Sequence, residues 1–430
     1  MSSVLVETTR ADDSEPVTIT QVLLDQAIRS VFQPIVDLES GQVVAFEALA
    51  RGPVGPLENP TALFTAARQA NLLAELDSAC RRAAFRGAGE HGVVAPFSIF
   101  VNVEPEVLDS APIADLLALV DAAPGHLRVM LEITERALAA RPAELLRTVD
   151  RVRELGWRIA LDDVGAEPAS LAFMALLEPD VVKLDLGLTQ GRPTAATAEV
   201  MHAVNAYAER SGAVVLAEGI ETEAHLVRAK AMGATLGQGW LLGRPTDTPH
   251  VNQRPTRALQ LPRRTESRGN GMPGSPFAAL PPGTVLRRSP KRLLVELSKE
   301  LEREAVRIGE TAVVAATFQH ARHFTRSTQS RYRLLVARTG FVCALGEDLP
   351  EEPLPGLRGA ALDPRDPVRG EWDLVVLGPH FATALLARDL GDDGPEMDRM
   401  FEYALTYRRE TVVLAAAELL SRVAPRIPST

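Results

Sequence analysis

Residues 146–163 read LRTVDRVRELGWRIALDD: a helix-like run that stops at Gly156, a short buried strand, and then two aspartates, Asp162 and Asp163. The same grammar recurs on both sides. FSIFVNV is followed by SAPIADLLALV, VMLEITE by PAELLRTVDRVRELG, DVVKLDLGL by TAEVMHAVNAYAERSG, and AVVLAEGI by EAHLVRAKAMG. Repeated strand–helix units of this kind predict an α/β barrel with its functional groups at the strand ends; an open doubly wound sheet is the rival. Acidic or amide side chains close those strands: Glu47, Asn102, Glu132, Asp162 with Asp163, and Glu218. Brought to one mouth, such oxygens suit hard divalent cations and a two-metal hydrolytic site.

The 430 residues are enough for two or three domains, and 46% of them are hydrophobic. Aromatic residues make up only 5%, so the cores are expected to be aliphatic. A formal charge of -10 argues against long nucleic acid as a partner but allows a small anion held by cations and local arginines. Cys80 and Cys343 are the only cysteines and fall in different predicted domains, which argues against a disulfide framework and against a cysteine metal cluster. No apolar run reaches membrane-spanning length and the start does not resemble a signal peptide, so a cytoplasmic protein without a membrane partner is expected. His91, His126, His202 and His225 share no ligand spacing and read as surface or helix-face residues.

The expected organisation is a flexible tail over 1–19, the barrel over 20–247, a linker over 248–285 and a smaller α/β module over 286–425. RPTRALQLPRRTESRGNGMPGSPFAALPPG (254–283) is rich in Pro, Gly and Arg and reads as a solvated tether. The last segment shows no carboxylate pairs at matching spacing and no strong phosphate cradle. Sensing is the expectation there, with Trp372, Asp373, Phe381 and Arg409 read as core and surface residues.

FQPIVDLESGQVVAFEALAR (32–51), VNVEP, LEITE, ALDDVG, VVKLDLGL, AEGIETE and GATLGQGWLLGRP follow one another in the order of the EAL family, which the first half of the chain resembles closely. The resemblance implies a modified TIM (β/α)8 barrel whose first strand runs antiparallel, and metal-dependent hydrolysis of cyclic di-GMP to linear pGpG. It implies that Glu47, Asn102, Glu132 and Asp162 hold one Mg²⁺ or Mn²⁺, and that Asp162, Asp163 and Glu218 help place a second. Glu218 matches the general base and Lys183 the lysine that orients the attacking water. Gln33, Pro34, Leu49, Arg51, Asp185, Glu221 and Gln238 match pocket positions, Arg51 facing a phosphate. Glu135 matches the anchor of the loop after Asp163, and elements around that loop are where the family forms homodimers.

That loop departs from the family. The usual FGTGYSSL is VGAEPASL here (164–171), with Glu167 at the second glycine position and Pro168 at the tyrosine position. An inactive or weak receptor that binds cyclic di-GMP and signals onward is therefore the alternative function. FTRSTQSRYRLLVARTGFVCALG (324–346) and the runs from 363 to 389 and 401 to 423 resemble the DICT sensory domain, which implies an unknown ligand or protein partner for the second half and control of the barrel by it.

Overall fold

The computed structural model describes residues 17–104, 126–134, 140–262, 274–393 and 395–423. Eight strands close a barrel in sequence order: β1 (Arg29–Asp37), β2 (Val43–Arg51), β3 (Ser98–Asn102), β4 (Arg128–Thr134), β5 (Arg158–Val164), β6 (Val181–Leu184), β7 (Val214–Ala217) and β8 (Leu236–Gly237). β1 runs antiparallel to both its neighbours, while β2 through β8 pair in parallel.

Period two along these strands builds the interior. One inward ring is apolar: Ile35, Ala45, Phe100, Met130, Ala160, Val181, Leu216 and Leu236, one from each strand, cluster as the barrel floor. Leu259 packs on this ring from outside the strands, and the Arg128 guanidinium donates to its carbonyl at 2.9 Å. Part of the segment read as a solvated tether is therefore fastened to the barrel. Thr256 donates to Gln42 Oε1 at 2.9 Å, and further on the Phe277 amide donates to Glu371 at 3.0 Å. The reason is visible in RALQLP, where Leu259 and Leu261 supply apolar anchors inside a polar stretch.

Around the barrel lie α1 (Ile19–Leu24), α2 (Pro60–Gln69), α3 (Leu73–His91), α4 (Pro142–Glu154), α5 (Ala169–Leu177), α6 (Leu186–Gln190), α7 (Ala195–Ser211) and α8 (Glu223–Ala231). The second unit is a seven-stranded sheet in the order β12-β11-β10-β13-β14-β15-β9. Its members are β9 (Arg287–Pro290), β10 (Val313–His320), β11 (Phe341–Glu347), β12 (Arg358–Ala361), β13 (Glu371–Leu377), β14 (Ala382–Asp389) and β15 (Met400–Thr406). α9 (Lys291–Ile308) and α10 (Arg326–Arg338) cover one face, through Leu294, Leu301, Tyr332 and Leu335. α11 (Arg409–Leu420) covers the other.

α5 and α11 have unusual sequences for surface helices. ASLAFMALL and TVVLAAAELL are apolar all round, and a helix of that kind must be covered on every side. Leu171 through Leu177 are all buried, as are most residues of α11. The two helices touch, and one apolar core runs from the barrel through Phe173 and Val412 to Val313, Phe341 and Val375 of the sheet. The Phe173 and Phe341 rings meet edge-on at 5.9 Å. At the rim of this contact the His202 and His380 rings lie 4.2 Å apart, tilted by 45°, and Arg358 donates to the Ala140 carbonyl at 3.2 Å. Among the described residues no helix is long and apolar enough to cross a membrane.

Candidate metal centre and ligand cleft

Two residues nearer the mouth than the apolar floor, every strand places a polar side chain inward. The ring is Gln33, Glu47, Asn102, Glu132, Asp162, Lys183, Glu218 and Gln238, seven of them two positions after their floor residue. Gln33 lies two positions before Ile35, because β1 runs the other way. The strand register aligns them: Gln33 faces Glu47 and Asn102 faces Glu132 across adjacent strands.

Lys183 is the hub. Its Nζ lies 2.6 Å from Glu132, 2.9 Å from Glu218, 3.0 Å from Asp162 and 3.7 Å from Glu47, and the side chain is only 1% exposed. Burial works against an ammonium here, but Asp162, Glu132 and the other carboxylates hold its pKa well above the ordinary value. Glu47 is clamped from both sides, by Asn102 Nδ2 at 2.9 Å and Gln238 Nε2 at 2.7 Å. Burial alone would raise it; Lys183 and these amides keep it below the usual carboxylate range. Gln238 also donates to Gln33 Oε1 at 3.1 Å, and Gln33 donates to the Gly243 carbonyl at 3.3 Å, so the amides are locked into one network. Gly239 backs this network: its φ is +153°, and a Cβ there would lie 2.3 Å from the Ile220 backbone.

The other carboxylates lack such support. Burial, then the charge of Glu47, drives Glu132 well above its ordinary pKa, and burial pushes Glu218 up to about 7. Apart from the Lys183 ammonium, neither oxygen of Glu132 nor Oδ1 of Asp162 has a hydrogen-bond partner. One ammonium facing four carboxylates, with orphaned buried oxygens, fits a divalent cation.

Asp163 follows an inward-facing residue, so a regular strand would point it away. Instead the β5–β6 register shifts between Leu161 and Val164, and Asp163 adopts φ +55°. Carboxylate oxygens of Asp162, Asp163 and Glu218 consequently lie within 4.8 Å of one another. Gly165, at φ +101°, completes the turn, and a Cβ there would meet Leu188 Cδ1 at 2.6 Å. Gly165→Ala is expected to cost about 1–3 kcal/mol through strain at this position and to weaken Mn²⁺ binding by displacing Asp163. Urea melts and a Mn²⁺ titration of the folded variant check both.

The rest of VGAEPASL forms an ordered turn. Pro168 stands at the N-terminus of α5, and the Ser170 amide and hydroxyl both donate to the Glu167 carbonyl, at 3.3 and 2.7 Å. Glu135, the expected anchor, lies outside the described residues.

A cleft of about 580 Å³ opens beside the ring, bordered by Leu49, Arg51, Asn102 and Asp163. Arg51 donates to its own neighbour's carbonyl, Ala50, at 2.8 Å. Phe64, Arg68 and Arg81 also border the cleft and were not singled out in the sequence. They sit on α2 and α3, where a basic or aromatic residue carries no strand-end signature. Of the other expected pocket residues, Gln33 and Gln238 belong to the ring, and three stand apart from that cleft. Asp185 caps α6, accepting from the Gly187 amide at 2.8 Å, and Glu221 is exposed, its amide donating to His225 Nδ1 at 3.3 Å. Pro34 packs under Gly243, where a Cβ would lie 2.3 Å from its ring.

The family model described as "EAL domain" matches residues 18–245, and that described as "Sensory domain in DIguanylate Cyclases and Two-component system" matches 278–390. Cyclic di-GMP phosphodiesterase NbdA of Pseudomonas aeruginosa is 30% identical over 53% of this chain and 30% of its own length. Cyclic di-GMP phosphodiesterase RocR of the same organism is 29% identical over 51% of this chain and 57% of its own. An uncharacterized Sinorhizobium fredii protein, y4lL, is 29% identical over 55% and 29%. The chain thus spans well under two thirds of the length of these relatives. Among solved structures, a Klebsiella pneumoniae BlrP1 calcium/cy-diGMP complex is 28% identical over 53% of this chain and 57% of that one, with a TM-score of 0.47. With more than half of its length matched, the chain belongs to the EAL domain family and carries a DICT sensory domain after its barrel.

Proposed function

We propose that this protein hydrolyses cyclic di-GMP to linear pGpG with two Mg²⁺ or Mn²⁺ ions, and that its C-terminal domain sets the rate. The observation that carries the reading is the inward polar ring, to which all eight strands contribute. Glu47, Asn102, Glu132 and Asp162 would hold one ion, and Asp162, Asp163 and Glu218 the other. When bound, the ions supply electrostatic stabilisation of the phosphoryl transition state and acidify the attacking water. The protein's own groups do the rest. Asn102 and Gln238 fix the Glu47 carboxylate, while Lys183 keeps the four acids at one centre and orients the water. Glu218 takes the proton. Arg51, at the cleft wall, binds a phosphate of the ligand beside Leu49, and Gln33 holds Gln238 in the clamp on Glu47; Pro34, Asp185 and Glu221, apart from that cleft, are assigned no ligand contact.

Control through the C-terminal domain is supported by α5. That helix starts directly after the Asp163 turn, and its far side is packed against the sheet. The same packing covers α5 for any second copy, so a homodimer would use the exposed residues 166–168; a doubled mass in sedimentation would support it.

Purified protein incubated with cyclic di-GMP, and Mn²⁺ or Mg²⁺, is expected to release pGpG on liquid chromatography and to stop in EDTA. The loop substitutions Glu167 and Pro168 favour the second reading, a receptor. Tight nucleotide binding without product in either metal would establish that reading and sink hydrolysis.

A further inference from the structure

On the face of the sheet turned away from α11, β10 and β13 pair from Val313–Leu377 to Ala316–Leu374 and then part. Over the gap, between α9 and α10, lies a cavity of about 340 Å³. Val295, Phe318, Tyr332 and Trp372 give it apolar and aromatic walls. Phe318 and Tyr332 already meet edge-on at 5.3 Å, leaving flat ring surfaces as the lining.

One buried polar group borders this space without a hydrogen-bond partner: Ser298 Oγ, on the inward side of α9. Buried hydroxyls are rarely left unpaired, and closely packed interiors rarely leave such a gap. The charged side chains around the cavity are paired. Lys291 meets Glu396, Arg331 lies 2.5 Å from Glu302, and Lys299 lies 2.7 Å from Glu296. Burial and the neighbouring Glu371 raise the Asp373 carboxyl well above the carboxylate range. A ligand here meets aromatic faces, the unpaired Ser298 hydroxyl, and lysine and arginine side chains already paired with carboxylates.

We infer that this cavity is the input site of the sensory domain and that it takes an uncharged, planar aromatic molecule of two or three rings whose hydroxyl or carbonyl bonds to Ser298. The site stands independently of the catalytic reading of the barrel. Its route to the barrel is short, since α9 runs into the turn Gly309–Thr311, which touches α5.

Calorimetric titration with 2-naphthol tests the inference on the full chain. Its saturated analogue 2-decalol tests planarity, and naphthalene-2-sulfonate tests charge. 2-Naphthol is expected to bind at least fivefold more tightly than either analogue. Ser298→Ala removes the unpaired hydroxyl, keeps the fold and should cut that affinity about fivefold to tenfold, the worth of one hydrogen bond. Val295→Trp fills the cavity from a half-buried wall position and should abolish binding; circular dichroism melts confirm that both variants are folded. Absence of binding to the wild type at millimolar 2-naphthol overturns the inference. So does a preference for the sulfonate, or binding that survives both substitutions unchanged.

Discussion

Lys183→Ala is expected to lower the stability of the metal-free protein by about 3–5 kcal/mol, roughly 3–6 °C in melting temperature for a chain of this length, the range for removing one partner of a buried charge set. The wild-type ammonium lies within 3.7 Å of four carboxylates that no solvent reaches freely. Without it, Glu47, Glu132, Asp162 and Glu218 repel one another in a low-dielectric ring. Divalent cation should then matter more to the variant than to the wild type, since it restores the missing positive charge. Saturating Mn²⁺, at about a hundred times its Kd, would return roughly 2.7 kcal/mol.

The same melts have a defined pH sign. Glu218 and Glu132 have folded pKa values raised above the ordinary carboxylate, so their neutral forms favour the fold. The stability they contribute is fully present below the unfolded value near 4.5 and is lost as pH rises; for Glu218 the loss passes through about 7. In EDTA the wild type should therefore melt higher at pH 6 than at pH 8, and the difference should grow in Lys183→Ala. Mn²⁺ should flatten or reverse it, because the cation binds the ionised carboxylates. A variant as stable as the wild type in EDTA would show that Lys183 does not neutralise this centre.

Five members of the polar ring, Glu47, Asn102, Glu132, Asp162 and Glu218, were legible because each ends an apolar run, and the period-two logic of strands then points them together; Gln33, Lys183 and Gln238 came from the family resemblance. Glu47, Glu132, Asp162 and Glu218 needed nothing more. Asp163 did need more, because its approach depends on a register shift and a left-handed backbone that no composition signal announces. The antiparallel course of β1, and with it the reversed offset of Gln33, came from the family resemblance rather than from spacing. Phe64, Arg68 and Arg81 stayed hidden on amphipathic helices, where such residues usually face solvent or core.

The contact between the two halves leaves a trace in the sequence. ASLAFMALL lacks a polar face, so it could not be an outer barrel helix in water, and TVVLAAAELL has the same defect. Two such helices in one chain call for each other. Likewise EWD in β13 places Glu371 and Asp373 on one side of a strand, a carboxylate pair in a segment read as having none. Ser275 Oγ and the Phe277 amide satisfy Glu371 from the supposed linker, at 2.5 and 3.0 Å. That pair fastens the segment before β9 to the sheet, which is why those residues do not behave as a tether.

Glu218→Gln separates the hydrolytic reading from the receptor reading most sharply. The side chain is 20% exposed and keeps its shape on substitution, and losing a charge from a crowded acidic centre does not threaten the fold. Turnover should nevertheless fall by about 10²–10⁴, the usual worth of a positioned general base, while cyclic di-GMP still binds. Because Glu218 is also a proposed ligand of the second ion, its amide variant should bind that ion more weakly too. Glu47→Ala differs from it in removing the carboxylate that Asn102 and Gln238 clamp. It deprives Asn102 and Gln238 of their shared acceptor and removes a central ligand oxygen, so Mn²⁺ affinity and turnover should drop together. Chromatography of pGpG, with metal and nucleotide titrations on both variants, distinguishes the cases. If Glu218→Gln retains wild-type turnover, the proton goes elsewhere and the assignment of the base is wrong. Equal loss of nucleotide binding and turnover in that variant would instead make Glu218 a ligand-holding residue, since a base removed from an intact pocket leaves binding in place.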